Sequence, residues 1–169
     1  MSDVVILAGS NNKNLELANE FEKHFTAKSV KSTVLDLVSL NLPLYTPTEE
    51  VRGIPKAVLQ YKELMDNAKG FVFVVPEYNG GVPPVVTNFI AWISRSGDQD
   101  WRSTFNAKPA GIASFSGSGG VQALVSLRTQ LSYIGLNVIG RQVRATFKEG
   151  LNSADLEGVG DLLIEGIRL

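Results

Sequence analysis

Five consecutive apolar residues at positions 71–75, Phe-Val-Phe-Val-Val, restrict the possible folds of this chain more than any other segment. The run has no polar alternation and contains three β-branched residues, which is typical of a strand buried on both faces of a parallel sheet. Pro76 follows directly, lacks a backbone donor and helps to end the strand. We therefore predict a central parallel strand in an α/β fold.

The loop after this strand carries groups suited to a flat ligand. It reads Pro-Glu-Tyr-Asn-Gly-Gly at 76–81, and Pro83-Pro84 then suit the first turn of a helix. Glycine lets the backbone approach a ligand closely, tyrosine can stack on a ring, and asparagine can both donate and accept. Open α/β sheets bind ligands at such carboxyl ends of strands. The same residues also fit an ordinary connection in which the glycines only shape a turn.

Apolar runs and amphipathic helical stripes alternate along the rest of the chain. The predicted strands are 4–8, 30–37, 71–75, 110–115 and 137–143, the last interrupted by Gly140. Helices are predicted between them, one of them ending at Gly70, and residues 153–155 are predicted to cap a final helix. Residues 40–50 contain two prolines and are predicted to be irregular. This alternation predicts a parallel sheet with helices on both faces, in one domain of residues 1–169.

Two further polar loops follow predicted strands. The loop 9–14, Gly-Ser-Asn-Asn-Lys-Asn, precedes a helix and directs backbone amides and a hydroxyl to the helix N-terminus, which suits a phosphate. It is neither a Walker A loop nor a G-x-G-x-x-G loop, and simple N-capping of the helix is the alternative. The loop 116–120, Ser-Gly-Ser-Gly-Gly, opens a helix from 121 to 133 and on its own fits a flexible connection.

Together the three loops resemble those of the NADPH-dependent FMN reductases, which are flavodoxin-like quinone, chromate and azo-dye reductases. The matching residues are the loop 76–81, Pro83, Pro84, Asn88, Trp92, Gly9, Ser10, Asn14, Leu17, Ala18, Ser116, Gly117, Gly119 and Gly120. The first loop is shorter here than in the family and lacks the usual Arg and second Ser. The resemblance implies a flavodoxin-like three-layer sandwich with a five-stranded parallel sheet of order 2-1-3-4-5.

The resemblance also implies an FMN site with no catalytic side chain and no metal. Ser10 and Asn14 would hold the phosphate, with Asn11 or Asn12 as a donor and Lys13 as a charge partner. The ring contacts implied on one side are Pro76, Glu77, Tyr78, Asn79 and Gly80, and on the other Ser116, Gly117, Gly119 and Gly120. Family members are usually dimers or tetramers, which implies a homodimer or homotetramer.

Composition narrows the function classes. The chain has no cysteine, which excludes disulfides and thiol chemistry, so redox chemistry requires a cofactor. Its single histidine, His24, fits a helix-end role better than a catalytic one. A net charge of −1 gives no indication of a nucleic-acid or membrane partner. The first residues lack the pattern of a secretory signal and no apolar run has transmembrane length, so we expect a cytoplasmic protein.

Taken with this composition, the resemblance implies an FMN-dependent oxidoreductase that takes hydride from NADPH or NADH. The electron acceptor would be a small molecule: a quinone, an azo compound, a metal oxyanion or free flavin. One alternative is a flavodoxin-like electron carrier, although flavodoxins are typically strongly acidic and this chain is not. The other is a member of the fold that has lost tight FMN binding through its shortened first loop. A hydrolase would require a pair of carboxylates, and only Glu77 falls in the predicted cleft.

Overall fold

The computed structural model describes residues 2–97 and 100–169, in which strands and helices alternate as predicted. The strands are β1 Val4–Ala8, β2 Ser32–Asp36, β3 Gly70–Val74, β4 Pro109–Phe115, β5 Asn137–Val138 and β6 Val143–Ala145. The helices are α1 Lys13–Ala27, α2 Pro47–Val51, α3 Lys56–Asn67, α4 Pro84–Arg95, α5 Val121–Tyr133 and α6 Ser153–Gly166.

The strands form one parallel sheet in the order β2-β1-β3-β4-β5, with β6 also paired to β4. This confirms the predicted flavodoxin-like α/β fold and its 2-1-3-4-5 order. The predicted fifth strand is divided in two, since β5 pairs with the start of β4 and β6 with its end. At the interruption Arg128 of α5 donates to the carbonyl of Ile139 at 2.8 Å, so a side chain takes the place of a strand partner there.

The two faces of the sheet carry separate apolar layers. In β3, Phe71 and Phe73 pack towards α3, α4 and α5, whereas Val72 and Val74 pack towards α1 and α6. All four side chains are fully buried, and each buried side chain of this size stabilises the fold by roughly 1.5–3 kcal/mol. The unbroken apolar run therefore marks the middle of a three-layer structure, as the sequence predicted.

Three local predictions need correction. Gly70 begins β3 instead of ending α3, because its amide is drawn into the sheet beside Asp3, where it donates to the carbonyl at 3.2 Å. The segment predicted as irregular contains α2, which Thr46 caps by accepting from the Glu49 amide at 3.1 Å. The cap of α6 is Asn152, whose Oδ1 accepts from the Ala154 amide, so Ser153 lies inside the helix.

Within residues 2–97 and 100–169, none of the helices combines the length and the apolar character that crossing a bilayer requires.

Candidate functional site

A cavity of about 460 Å³ lies where the loops after β1, β3 and β4 meet. We call these loops the first loop (9–14), the second loop (76–81) and the third loop (116–120). The predicted site residues that line the cavity are Ser10, Asn11, Lys13, Asn14, Pro76, Glu77, Tyr78, Ser116 and Gly117. Asn79 and Gly80 form the tip of the second loop, and Gly119 and Gly120 lead into α5. The structure thus brings the three predicted loops together around one space.

Asn14 fastens the first loop to the end of β4. Its side chain is 3% exposed, and its Nδ2 donates to the Phe115 carbonyl at 2.9 Å and to Ser10 Oγ at 3.2 Å. Its Oδ1 accepts from the Phe115 amide at 2.9 Å. Both donor hydrogens of the amide group are therefore used inside the protein. Asn14 sets the position of Ser10, while its predicted contact with a phosphate stays a prediction.

The N-terminus of α1 offers unpaired donors beside the cavity. Asn12 stands at the N-cap position with a φ of 59°, and its side chain makes no capping hydrogen bond. In the part of the chain that the structure describes, the backbone amides of residues 11–15 form no hydrogen bond within the protein. Such a helix end attracts an anion through its free donors and its dipole. The alternative function of this loop was side-chain capping of α1, and Asn12 at the N-cap position makes no such hydrogen bond.

Lys13 lies beside this helix end with its charge already paired. Its Nζ is 2.6 Å from Glu16 Oε2, and it stands 6.0 Å from the centroid of the Phe115 ring. Both charged side chains are substantially exposed, so their pairing is weak and can yield to a more highly charged ligand. Lys13 is therefore available to a dianion at the mouth of the cavity.

The second loop is a tight hairpin. Tyr78 and Gly81 exchange backbone hydrogen bonds of 3.1 Å and 2.9 Å across two residues, Asn79 and Gly80. These two residues have φ values of 52° and 77°, the pattern of a type I′ turn, which favours Asn-Gly. A Cβ on Gly80 would meet no atom within 4 Å, so the turn needs glycine for its backbone conformation alone. The hairpin holds the Tyr78 ring 51% exposed beside the cavity.

Glu77 spans the gap between the second and third loops. Its Oε2 accepts from the backbone amides of Gln122 and Ala123 at 2.9 Å and 3.1 Å, and its Oε1 accepts from Ser118 Oγ at 2.8 Å. The amide of Ala123 and the hydroxyl of Ser118, followed by the amide of Gln122, hold the pKa of the Glu77 carboxyl below its ordinary value. Glu77 therefore remains ionised at neutral pH and occupies the N-terminus of α5.

The third loop is packed too closely for side chains at its last two positions. Gly120 has a φ of 68°, and a Cβ there would overlap the Ser114 side chain. Gly119 has a φ of 72°, and a Cβ there would lie 2.9 Å from Nη2 of Arg144. Arg144, on β6, donates to the carbonyls of Gly119 and Ser118 at 3.2 Å and 3.3 Å. The sequence predicted the glycines but not Arg144, whose partner is 25 residues away.

Two phenylalanines that were not among the predicted site residues form one wall of the cavity. Phe115 ends β4, and Phe147 follows β6 on a turn closed by the Gly150 amide, which donates to the Thr146 carbonyl at 2.9 Å. Their rings meet edge to face with centroids 5.1 Å apart, and Phe147 remains 73% exposed. Each follows or ends a strand at the carboxyl edge of the sheet, where ligands bind in this type of fold. That position was the feature of the sequence that could have identified both residues.

A family described as NADPH-dependent FMN reductase matches residues 2–150 of the chain. An NAD(P)H-dependent FMN reductase of Pseudomonas aeruginosa is 30% identical over 119 residues, which make up 69% of this chain and 62% of that protein. An NADPH azoreductase of a Bacillus species is 30% identical over 121 residues, 70% of this chain and 64% of that protein. The chain therefore spans less than two thirds of the length of these two relatives.

Among solved structures, the chain is similar to FerB, a flavoenzyme NAD(P)H:(acceptor) oxidoreductase from Paracoccus denitrificans. The TM-score is 0.81 at 20% sequence identity, and the match covers 99% of this chain and 98% of FerB. At this identity the likeness shows a shared fold.

Proposed function

Because the chain belongs to the NADPH-dependent FMN reductase family, we propose that it is an oxidoreductase that uses NAD(P)H and FMN to reduce a small-molecule acceptor. The observation that carries this proposal is the meeting of the first, second and third loops around one cavity of about 460 Å³. The volume falls in the usual range for small-molecule and cofactor sites. Each loop contributes a different part of what FMN requires.

The two helix N-termini beside the cavity differ in a way that supports one orientation of FMN. The first-turn amides of α5 are occupied by the Glu77 carboxylate, which repels a second anion. The first-turn amides of α1 form no hydrogen bond within the described residues, and the hydroxyl of Ser10 lies beside them. A phosphate group would therefore bind at the first loop, with Lys13 redirected from Glu16 towards it.

The remaining walls suit a flat ring. Gly117 borders the cavity, and a Cβ at this position would meet no atom within 4 Å, so the missing side chain leaves open space. The exposed face of Tyr78 offers apolar surface beside this space. We propose that Pro76–Gly80 and the third loop hold the isoalloxazine ring between them. These contacts would use backbone groups and aromatic surface.

Bound FMN would supply the two-electron redox chemistry that the cysteine-free chain lacks. The protein's own task is to hold the cofactor and to shape the space over it. Its carboxylate in the cavity, Glu77, is committed to three hydrogen bonds, so it is poorly placed to carry protons. We therefore assign no catalytic acid or base among these side chains.

For the acceptor, we propose a planar aromatic compound such as a quinone or an azo dye. The exposed ring of Phe147 stands over a turn that two hydrogen bonds to Thr146 fix in place, so it offers a preformed stacking surface. Similarity to an azoreductase agrees with this class. Small inorganic oxyanions would gain nothing from such a surface.

The proposal is tested by the visible absorption spectrum of purified protein that is mixed with FMN, desalted, and then treated anaerobically with NADPH or NADH. We expect retained flavin absorption that either nucleotide bleaches, and a protein-free sample on the same column controls for carry-over of FMN. A retained flavin that neither nucleotide bleaches would indicate an electron carrier. Loss of the flavin on the column would indicate that the shortened first loop no longer binds FMN tightly.

A further inference from the structure

Helix α5 begins without a cap from its own sequence. Its N-cap residue is Gly120, which has no side chain, whereas α2 and α6 are capped by Thr46 and Asn152 next to them in sequence. The missing acceptor for α5 comes from Glu77, which is 45 residues earlier than Gln122. One carboxylate thus satisfies two of the helix's first-turn donors from the far side of the cavity.

The arrangement joins two walls of the cavity through one side chain. Glu77 is part of the second loop, while its partners Ser118, Gln122 and Ala123 belong to the third loop and the first turn of α5. The three hydrogen bonds are 2.8–3.1 Å long and involve an ionised acceptor at the positive end of a helix. Their combined effect is to fix the separation of the two loops.

Other contacts that hold the third loop come from a different side. Arg144 binds its carbonyls from β6, and the Ser116 amide donates to the Ala145 carbonyl at 3.1 Å. These contacts anchor the loop to the sheet edge but do not reach the second loop. Among the described residues, Glu77 is the side chain that links the second loop to the third by hydrogen bonds.

We propose that Glu77 is a positioning residue that sets the width of the ring site by capping α5 from the second loop. This role rests on the proposed function, and it differs from the direct ring contact that the family resemblance implied for Glu77. The carboxylate acts on the cofactor through Ser118 and the first turn of α5. It also denies that helix end to anions and leaves the phosphate to the first loop.

The test compares Glu77→Ala and Glu77→Gln with wild type and with Glu157→Gln, which changes an exposed glutamate on α6. The first measurement is amide hydrogen exchange of residues 116–124 in FMN-free protein, and the second is the Kd for FMN from quenching of its fluorescence. We expect Glu77→Ala to speed exchange at Gln122 and Ala123, because these amides lose their acceptor. We also expect it to raise the Kd for FMN several-fold, because the two loops are no longer held at a fixed separation. The control should match wild type in both measurements.

Glu77→Gln should fall between wild type and Glu77→Ala, because its amide oxygen still accepts hydrogen bonds but carries no charge. This variant also decides the question if Glu77→Ala does not fold. Unchanged exchange, or faster exchange with an unchanged Kd, would overturn the positioning role and leave the proposed function standing. A wild-type protein that binds no FMN would overturn both, while faster exchange in Glu77→Ala would still identify the cap.

Discussion

At the scale of single residues, the buried side-chain amide of Asn14 makes two hydrogen bonds to Phe115 and one to Ser10. Replacing it with alanine would leave the Phe115 amide and carbonyl without their partner in a partly buried position. An unsatisfied buried polar group destabilises a fold by about 1–3 kcal/mol, so we expect Asn14→Ala to lower the Tm of FMN-free protein by several degrees. Asn11→Ala, in the same loop but exposed, should leave the Tm unchanged. Equal melting of the two variants would show that Asn14 does not fasten the loop.

A substitution at Gly80 tests whether the conformation of the second loop affects FMN binding without unfolding the protein. Its φ of 77° is unfavourable for other residues by roughly 1–2 kcal/mol, and nothing nearby would clash with a methyl group. We expect Gly80→Ala to shift the turn and raise the Kd for FMN several-fold without unfolding the protein. Gly140→Ala is the matched control, because it also has open space but a φ outside the left-handed region and no place in the cavity. An unchanged Kd in Gly80→Ala would remove the second loop from the assigned ring site.

The exposed ring of Phe147 leads to a prediction about specificity for the electron acceptor. Replacing Phe147 with alanine removes a stacking surface of the kind worth about 0.5–1.5 kcal/mol, so the KM for a quinone should rise roughly two- to tenfold. Ferricyanide, a compact inorganic anion, should keep its KM, since it makes no stacking contact. The comparison is made by steady-state kinetics with NADPH held constant. An equal rise in the KM for both acceptors would show that Phe147 affects FMN binding or the fold and does not contact the acceptor.

At the scale of elements, the cap on α5 couples stability to pH. The pKa of Glu77 lies below its ordinary value of 4.5 in the folded protein, so the folded state favours the ionised form. The ionised Glu77 carboxylate therefore stabilises the fold fully at pH values above its pKa in the unfolded chain. This stabilisation is lost as the pH falls through its pKa in the folded protein. We expect wild type to melt above Glu77→Gln at about pH 6 and this difference to shrink steadily below about pH 4.5. A difference that is constant over this range would show that the Glu77 charge does not stabilise α5.

How much could be predicted from the sequence also depends on the element. The run at 71–75 and the three polar loops were identified because strand ends and turn residues are local signals. Arg128 and Arg144 escaped prediction because each acts on carbonyls that only the folded chain brings near, at the β5–β6 interruption and at the third loop. Glu77 was predicted to lie in the cleft, but its role as the cap of α5 was not predicted. A cap that comes from another loop leaves no pattern in the sequence of the helix itself.

At the scale of the whole molecule, the cavity joins parts of the chain more than 100 residues apart, from the first loop to Phe147. A ligand that contacts all of them must stabilise the folded state by mass action, by about 2.7 kcal/mol at one hundred times its Kd. The homodimer or homotetramer remains a prediction, as does a cytoplasmic location. Leu44 and Val51 leave apolar side chains exposed to solvent. Light scattering of the purified protein would measure the oligomeric state directly.

The same linkage gives a test of cofactor orientation that requires no turnover. Since the free donors at α1 and the Ser10 hydroxyl would hold the phosphate, FMN should raise the Tm more than riboflavin, which has the same ring without a phosphate. Each ligand is added at equal concentration and melting is followed by circular dichroism. Added salt should reduce the advantage of FMN, because the contact is electrostatic. Ser10→Ala should narrow the difference between the two ligands while leaving the riboflavin shift unchanged. If riboflavin and FMN stabilise wild type equally, the phosphate does not bind at the first loop and the ring alone accounts for the affinity.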